Sequence, residues 1–181
     1  MRAAVKSWLP LAILATLMSG LMYLTVRQNY RQTANDPQIQ MAEDAAVALS
    51  NGQLPPAVVP ASKIELSQSL APYLIVFDQS GHVVASSAEL EGEAPVVPAG
   101  VFDYVKQHGQ DRFTWQPRPD VRSAVVMTRS SGNPAYFVLA GRSLREVEQR
   151  ESQLTIEVGL AWVVILGMTL GAIIISRKTL P

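Results

Sequence analysis

Few side chains in this sequence could support catalysis. The chain has two histidines, His82 and His108, and no cysteine, which excludes thiol chemistry, disulfide bonds and a histidine-rich metal site. We expect both histidines at the surface, with His108 at a helix C-terminus, where an imidazolium complements the helix dipole. No nucleophile elbow, phosphate-binding glycine loop or spaced Ser-His-Asp set is present. The sequence therefore predicts neither an enzyme nor a bound cofactor.

Acidic side chains offer the next candidates for chemistry. Glu89, Glu91 and Glu93 alternate along one polar segment and could together hold a divalent cation. Solvated carboxylates in a surface loop explain the same pattern without a metal. Asp78 or Asp120 could act as a lone general acid, but no partner groups are placed around either one. We therefore predict no metal site and no catalytic residue.

The charges are divided unevenly along the chain. All fifteen acidic residues, but only eleven of the fifteen basic ones, lie between Arg27 and Glu157. This middle segment is therefore acidic, and the whole chain is neutral. A neutral chain with an acidic middle argues against nucleic acid as a partner.

Two uncharged apolar runs, Trp8 to Val26 and Val158 to Ile175, flank the acidic segment. A helix rises about 1.5 Å per residue and a hydrocarbon core is about 30 Å thick, so each run can span a bilayer. The sequence predicts transmembrane helices at residues 8–26 and 158–175, with the lipid bilayer as a partner. Residues 27–157 then form one domain between short termini, 1–7 and 176–181.

Basic residues flank both runs on their outer sides. Arg2 and Lys6 precede the first run, and Arg177 and Lys178 follow the second. Cytoplasmic flanks are enriched in Lys and Arg. We therefore expect a two-pass protein of the bacterial inner membrane, with both termini cytoplasmic and a periplasmic central domain.

A cleaved signal peptide is the alternative interpretation of the N-terminus. The first apolar run is longer than a usual signal core, and no small-x-small pattern follows it. We therefore favour an uncleaved anchor, although Ser19-Gly20 leaves cleavage inside the run open.

The central segment contains alternating helix and strand patterns. Asn35 or Asp36 can cap a helix that Gly52 ends, and three prolines make residues 53–61 an irregular linker. The later patterns predict a hairpin (73–77 and 82–86), a helix (99–108), a strand from Arg112, a second hairpin (123–128 and 135–141) and a helix from Ser143 into the second apolar run. We predict an α+β fold in which a five-stranded antiparallel sheet carries helices on one side.

The apolar helices carry features that favour helix packing. Gly167-x-x-x-Gly171 permits close approach of another helix, and Thr169 could add an interhelical hydrogen bond or bond its own backbone. Small residues in the first run are Ala12, Thr16 and Gly20. An apolar stripe with 3-4 spacing predicts either a helix-pair seam or contacts with the domain core and lipid; it consists of Leu144, Val147, Leu154, Val158, Ala161, Ile165 and Met168.

Two stretches carry a resemblance to a known family: Tyr73-Leu74-Ile75-Val76-Phe77-Asp78-Gln79-Ser80-Gly81-His82-Val83-Val84, and Tyr136-Phe137-Val138-Leu139-Ala140-Gly141-Arg142-Ser143-Leu144. With the element order, they resemble the extracytoplasmic PAS-like sensor modules called Cache or PDC domains, over about Arg27 to Val158. Those modules lie between two transmembrane helices in bacterial sensor kinases and chemoreceptors. Such receptors usually continue into a kinase, cyclase or chemotaxis region. Because this chain ends at Pro181, we expect a separate protein to supply the output.

The resemblance implies a ligand pocket over the central sheet, framed by the middle helix and the following strands. Those elements carry Tyr104, Arg112, Trp115, Arg122 and Tyr136. Arginine forks between aromatic walls would bind a small carboxylate. Alternatively, the aromatic residues belong to the core and the arginines face solvent.

Two functions remain open from the sequence. The first is a sensor of a small molecule or an envelope protein, which signals laterally through its transmembrane helices to a kinase, another signalling protein or a second copy. The second is a non-sensory envelope scaffold or accessory subunit of a membrane complex, in which the domain serves only as a binding platform.

Overall fold

The fold is known from a computed structural model, which describes residues 2–33 and 36–179. The helices of these ranges are α1 (Arg2–Thr33), α2 (Asp36–Ser50), α3 (Pro55–Val58), α4 (Ala99–His108) and α5 (Arg145–Thr179). The strands are β1 (Ile64–Glu65), β2 (Tyr73–Phe77), β3 (Val83–Ser86), β4 (Ala88–Glu89), β5 (Gln110–Arg118), β6 (Val121–Arg129) and β7 (Phe137–Ser143). The chain divides into two compact units, residues 32–146 and the two terminal segments.

A five-stranded sheet organises the central unit. Its strand order is β3-β2-β7-β6-β5, and every neighbouring pair is antiparallel. The predicted α+β class, with a five-stranded antiparallel sheet, is confirmed. β2 and β7 are central strands, and each carries a run of five consecutive buried residues. A continuous apolar run of this kind indicates a strand that is covered on both faces.

Helices cover both faces of the sheet, so the prediction of helices on one side only was wrong. Phe102 and Val105 of α4 join the larger core on one face, with Phe77, Phe137 and Trp115. On the other face, the alanines of α2 and its Leu49 pack against alternate residues of the central strands, which are Leu74, Val76, Val126, Val138 and Ala140. We call these the α4-side core and the α2-side core.

The turn and helix-end residues that the sequence indicated lie at turns and helix ends in the structure. The first hairpin closes where Asp78 Oδ1 accepts hydrogen bonds from the backbone N–H groups of Ser80 (2.8 Å) and His82 (2.9 Å). Helix α4 has its predicted bounds and ends at Gly109, whose φ of 82° favours glycine. Helix α2 begins at Asp36; the other proposed cap, Asn35, lies outside the described residues.

Three details of the central unit differ from the sequence prediction. The proline-rich linker contains the short helix α3, because Pro55 and Pro56 suit the first helical turn. The strand from Arg112 is not isolated: β5 and β6 form a long hairpin that turns at Asp120, whose φ is 66°. The two-residue strands β1 and β4 pair in parallel and are too short for any periodicity to reveal.

The second unit contains two long apolar helices. Within the described residues, the segments Ala4–Tyr30 and Arg145–Ser176 are long and apolar enough to cross a membrane. This agrees with a two-pass membrane protein. As predicted, the helix that follows the last strand continues without a break into the second apolar run.

Candidate functional site

The five side chains of the predicted ligand pocket lie in different surroundings. Trp115 is buried in the α4-side core, whereas Tyr136 packs against the α2-side core. Tyr104 is exposed on α4, and its ring stacks on His108 with centroids 4.1 Å apart. Arg112 is exposed and donates from Nε and Nη2 to Oε1 of Gln110, at 3.0 and 2.9 Å.

The pairing register shows which of these residues share a face. Arg112 lies opposite Val126, a member of the α2-side core. Arg122 lies four residues before Val126 on β6. Because side chains alternate between faces along a strand, Arg122 projects to the same face as Val126 and is exposed there. Trp115 lies on the other face. The five residues therefore do not line one common cavity, and ligand binding by any of them stays a prediction.

A small groove lies beside helix α2, where the sequence indicated no site. Its volume is about 310 Å³, and its lining residues are Met41, Asp44, Ala45, Ala48, Gln53, Val58 and Leu74. The walls are largely apolar, and a single carboxylate, Asp44, accepts a 2.7 Å hydrogen bond from Gln40 Nε2. This chemistry suits a small amine with an apolar group better than a carboxylate. The groove depends on α3, which the proline pattern did not predict.

Two of the three acidic side chains considered for metal binding, Glu89 and Glu91, have basic partners. Glu89 lies 3.5 Å from Lys63 Nζ, and Glu91 forms an ion pair with Arg118. Backbone hydrogen bonds, first from His82 and then from Ser80, lower the pKa of Asp78. Over residues 2–33 and 36–179, no three His, Asp or Glu side chains are grouped to hold a metal ion.

Polar side chains connect the two apolar helices at four levels. Trp8 Nε1 donates to Thr169 Oγ1 at 3.0 Å, and Trp162 Nε1 donates to Thr16 Oγ1 at 2.9 Å. The other levels are a 3.3 Å hydrogen bond from Thr155 Oγ1 to Tyr23 Oη and an ion pair of 3.6 Å between Arg27 and Glu151. We call this set the interhelical seam.

The interhelical seam joins antiparallel helices, and two of its four levels are reciprocal. Each helix supplies one tryptophan donor and one threonine acceptor, so the Trp–Thr pairs are exchanged between the helices. Thr169 makes the predicted interhelical bond and also bonds its own backbone, at Ile165 O. Three residues of the predicted apolar stripe, Ala161, Ile165 and Met168, are exposed. Polar pairs of this kind contribute to helix contact in a membrane, where lipid supplies no hydrophobic drive between helices.

Gly167 and Gly171 take no part in close packing between α1 and α5. A Cβ added at either glycine would have no neighbouring atom within 4 Å. Within the described residues nothing packs closely at this pair, and packing of another chain there stays a prediction.

Comparison of the chain with protein-family models gave no match. A search of curated proteins likewise gave no match.

Proposed function

We propose that this chain is a membrane-anchored extracytoplasmic sensor module of the PAS-like, or Cache, type. Its central domain binds a small molecule or an envelope protein, and its apolar helices pass the bound state to a partner in the membrane, such as a kinase, or to a second copy. The single observation that supports this most is the unbroken helix α5, which begins two residues after strand β7 and contains the second apolar run. A rigid helix of this kind can carry a small displacement along its axis.

The interhelical seam supports the same proposal. A signal that moved α5 alone could be lost by sliding against α1, but the reciprocal Trp–Thr pairs fix the register of the two helices. Outward faces of the pair remain for a partner, including the face of Gly167 and Gly171.

Two chemistries are candidates for the ligand. The exposed arginines Arg112 and Arg122 would favour a small carboxylate, and the groove at Asp44 would favour a small amine. A ligand at 100 times its Kd stabilises the folded state by about 2.7 kcal/mol. That effect is large enough to be detected as a shift in Tm.

The experiment is a thermal-shift screen of the full chain in nanodiscs against panels of small carboxylic acids and small primary amines. Sensing predicts stabilisation by one panel. An acid effect should vanish in Arg112→Ala or Arg122→Ala, and an amine effect in Asp44→Asn, whereas Arg129→Ala serves as the control. If no compound of either panel raises the Tm, and crosslinking recovers one specific protein, small-molecule sensing would be overturned.

The scaffold function has one observation in its favour. β5 is a nine-residue edge strand of the sheet, and an edge strand offers backbone groups to a strand from another protein. If the protein is a scaffold, photoreactive residues placed at Thr114 or Gln116 of β5 should capture the partner in the crosslinking experiment.

A further inference from the structure

Two arginines at the junction of β7 and α5 contact the loop that precedes the central strand β2. Arg145 Nη2 donates to the backbone oxygen of Gln68 at 2.6 Å, and its Nη1 donates to that of Ser67 at 3.3 Å. Arg142 Nε donates to the backbone oxygen of Leu70 at 3.3 Å. Three carbonyl groups of residues 66–72, here called the pre-β2 loop, thus accept hydrogen bonds from the junction of β7 and α5.

The pre-β2 loop is held firmly at its other end. The side chain of Leu66 is buried in the α4-side core, and its N–H donates to Glu89 O at 2.9 Å. The carboxylate of Glu65 accepts from Ser67 Oγ at 2.9 Å and from the backbone N–H of Glu91 at 3.1 Å. The loop is therefore an ordered connection between the β1–β4 pair and β2, and it can transmit a displacement.

The arginines also belong to the helix side of the junction. Arg145 is the first residue of α5, and Arg142 Nη2 lies 3.5 Å from the carboxylate of Glu146 in the first helical turn. A guanidinium can donate to two carbonyl groups at once from a fixed planar fork, which a lysine ammonium cannot reproduce. Each arginine thus links the first turn of α5 to the loop.

We propose that Arg142 and Arg145 form a clamp that couples the position of the pre-β2 loop to helix α5. A displacement of the loop, or of the β1–β4 pair behind it, changes the stability of the first turns of α5. The clamp deepens the proposed sensory function, because it supplies the route from the central domain into the helix.

The test is hydrogen exchange measured by mass spectrometry on the full chain in nanodiscs. Loss of the charge-assisted bonds in Arg145→Ala should accelerate exchange in peptides covering 66–72 and 149–153 together, by on the order of tenfold. Arg145→Lys should give an intermediate effect, and Arg129→Ala should leave both peptides unchanged. Faster exchange in the loop alone would overturn the coupling.

A second variant perturbs the loop without touching the arginines. Insertion of two glycines between Ser69 and Leu70 should also accelerate exchange at 149–153, whereas unchanged exchange there would overturn the clamp. Protection in β6 and β7 reports whether either variant still folds. No ligand is used, so failure of this test leaves the proposed sensing intact, and failure of the ligand screen leaves the clamp intact.

Discussion

Gly141 lacks a side chain at a point where the ring of Tyr73 fills the space above it. The two residues are paired across β2 and β7, and a Cβ on Gly141 would overlap the Tyr73 ring. A buried tyrosine is large, and the glycine on the neighbouring strand makes room for it. At this position the glycine is needed for space rather than for a turn.

We predict that Gly141→Ala destabilises the protein by about 1–3 kcal/mol, the usual cost of overpacking a core. Urea denaturation of the full chain in micelles, followed by circular dichroism, measures the change. Gly100→Ala in α4 is the matched control, because nothing lies within 4 Å of a Cβ there. It should change stability by no more than about 0.5 kcal/mol. Equal effects of the two substitutions would contradict the packing argument.

The hydroxyl group of Tyr73 is buried in the α4-side core, and burial raises the pKa of this residue. The side chain of Ser123 lies close enough to oppose the shift in part. Even so, the hydroxyl makes no hydrogen bond of normal geometry within the described residues. Such a group weakens the fold, since an unsatisfied buried donor costs about 1–3 kcal/mol.

We predict that Tyr73→Phe leaves stability at pH 7 unchanged or raises it by about 1 kcal/mol. Above about pH 10 an unfolded tyrosine ionises while the buried one keeps its proton, so the wild type loses stability as the pH rises. The Tyr73→Phe variant should lose less stability over the same pH range. Denaturation at pH 7 and pH 11 measures both effects, and an identical pH dependence of the two proteins would contradict this assignment.

At the scale of elements, the interhelical seam consists of polar side chains, which a soluble helix pair would usually place at its surface and not between the helices. Ala12 is buried between Trp8 and Thr16 along the α1 contact. Interhelical hydrogen bonds in a membrane contribute about 0.6 kcal/mol each on average, and at most about 1.7. The seam therefore sets the register of the two helices more than their total stability.

We predict that Thr16→Val destabilises the helix pair more than Thr169→Val does. Trp162 donates to Thr16, whereas Trp8 has a second acceptor, the backbone oxygen of Leu166 at 3.3 Å. The loss at Thr16 should be about 0.6–1.7 kcal/mol. Denaturation of the full chain in mixed micelles, followed by tryptophan fluorescence, measures it.

Thr25→Val is the control for the seam. The Thr25 hydroxyl bonds the backbone of its own helix, at Leu21 O, so its removal should have a smaller effect. If all three valine variants behave alike, the Trp–Thr bonds do not hold the helices together.

The sequence was most informative where one local signal decides the structure. Helix α4 and the first hairpin follow directly from Gly109 and from the Asp78 turn, since those residues act within four positions of themselves. The face of the sheet on which a strand residue lies is harder to predict, because it depends on the register, and the register depends on turns and bulges elsewhere. The β5–β6 irregularity after Trp115 shifts the alternation of the residues beyond it.

The grouping of the candidate ligand residues was least predictable for the same reason. Trp115 and Tyr136 look equivalent as aromatic residues of predicted strand segments, yet they lie on opposite faces of the sheet. Helix contacts have a similar difficulty: the apolar stripe of α5 is visible in the sequence, but the seam is made by polar residues beside it. Neither feature follows from local periodicity, since each depends on a partner distant in sequence.

At the scale of the whole molecule, the distribution of charge sets the expected topology. The acidic central segment and the basic ends lie on opposite sides of the apolar helices in sequence. Both termini are therefore expected in the cytoplasm. The absence of cysteine from the chain means that any single cysteine introduced into it is the only thiol to be labelled.

We predict that Ser80→Cys, in the turn of the first hairpin, reacts with a membrane-impermeant maleimide once the outer membrane is permeabilised. Ala3→Cys and Thr179→Cys should react only after the inner membrane is disrupted, because basic flanks are retained in the cytoplasm. The intact mass of the purified protein should include residues 1–20, which an uncleaved anchor keeps. Labelling of Thr179→Cys from the periplasm, or a mature chain that starts after Gly20, would contradict the two-pass arrangement on which a helix-borne signal depends.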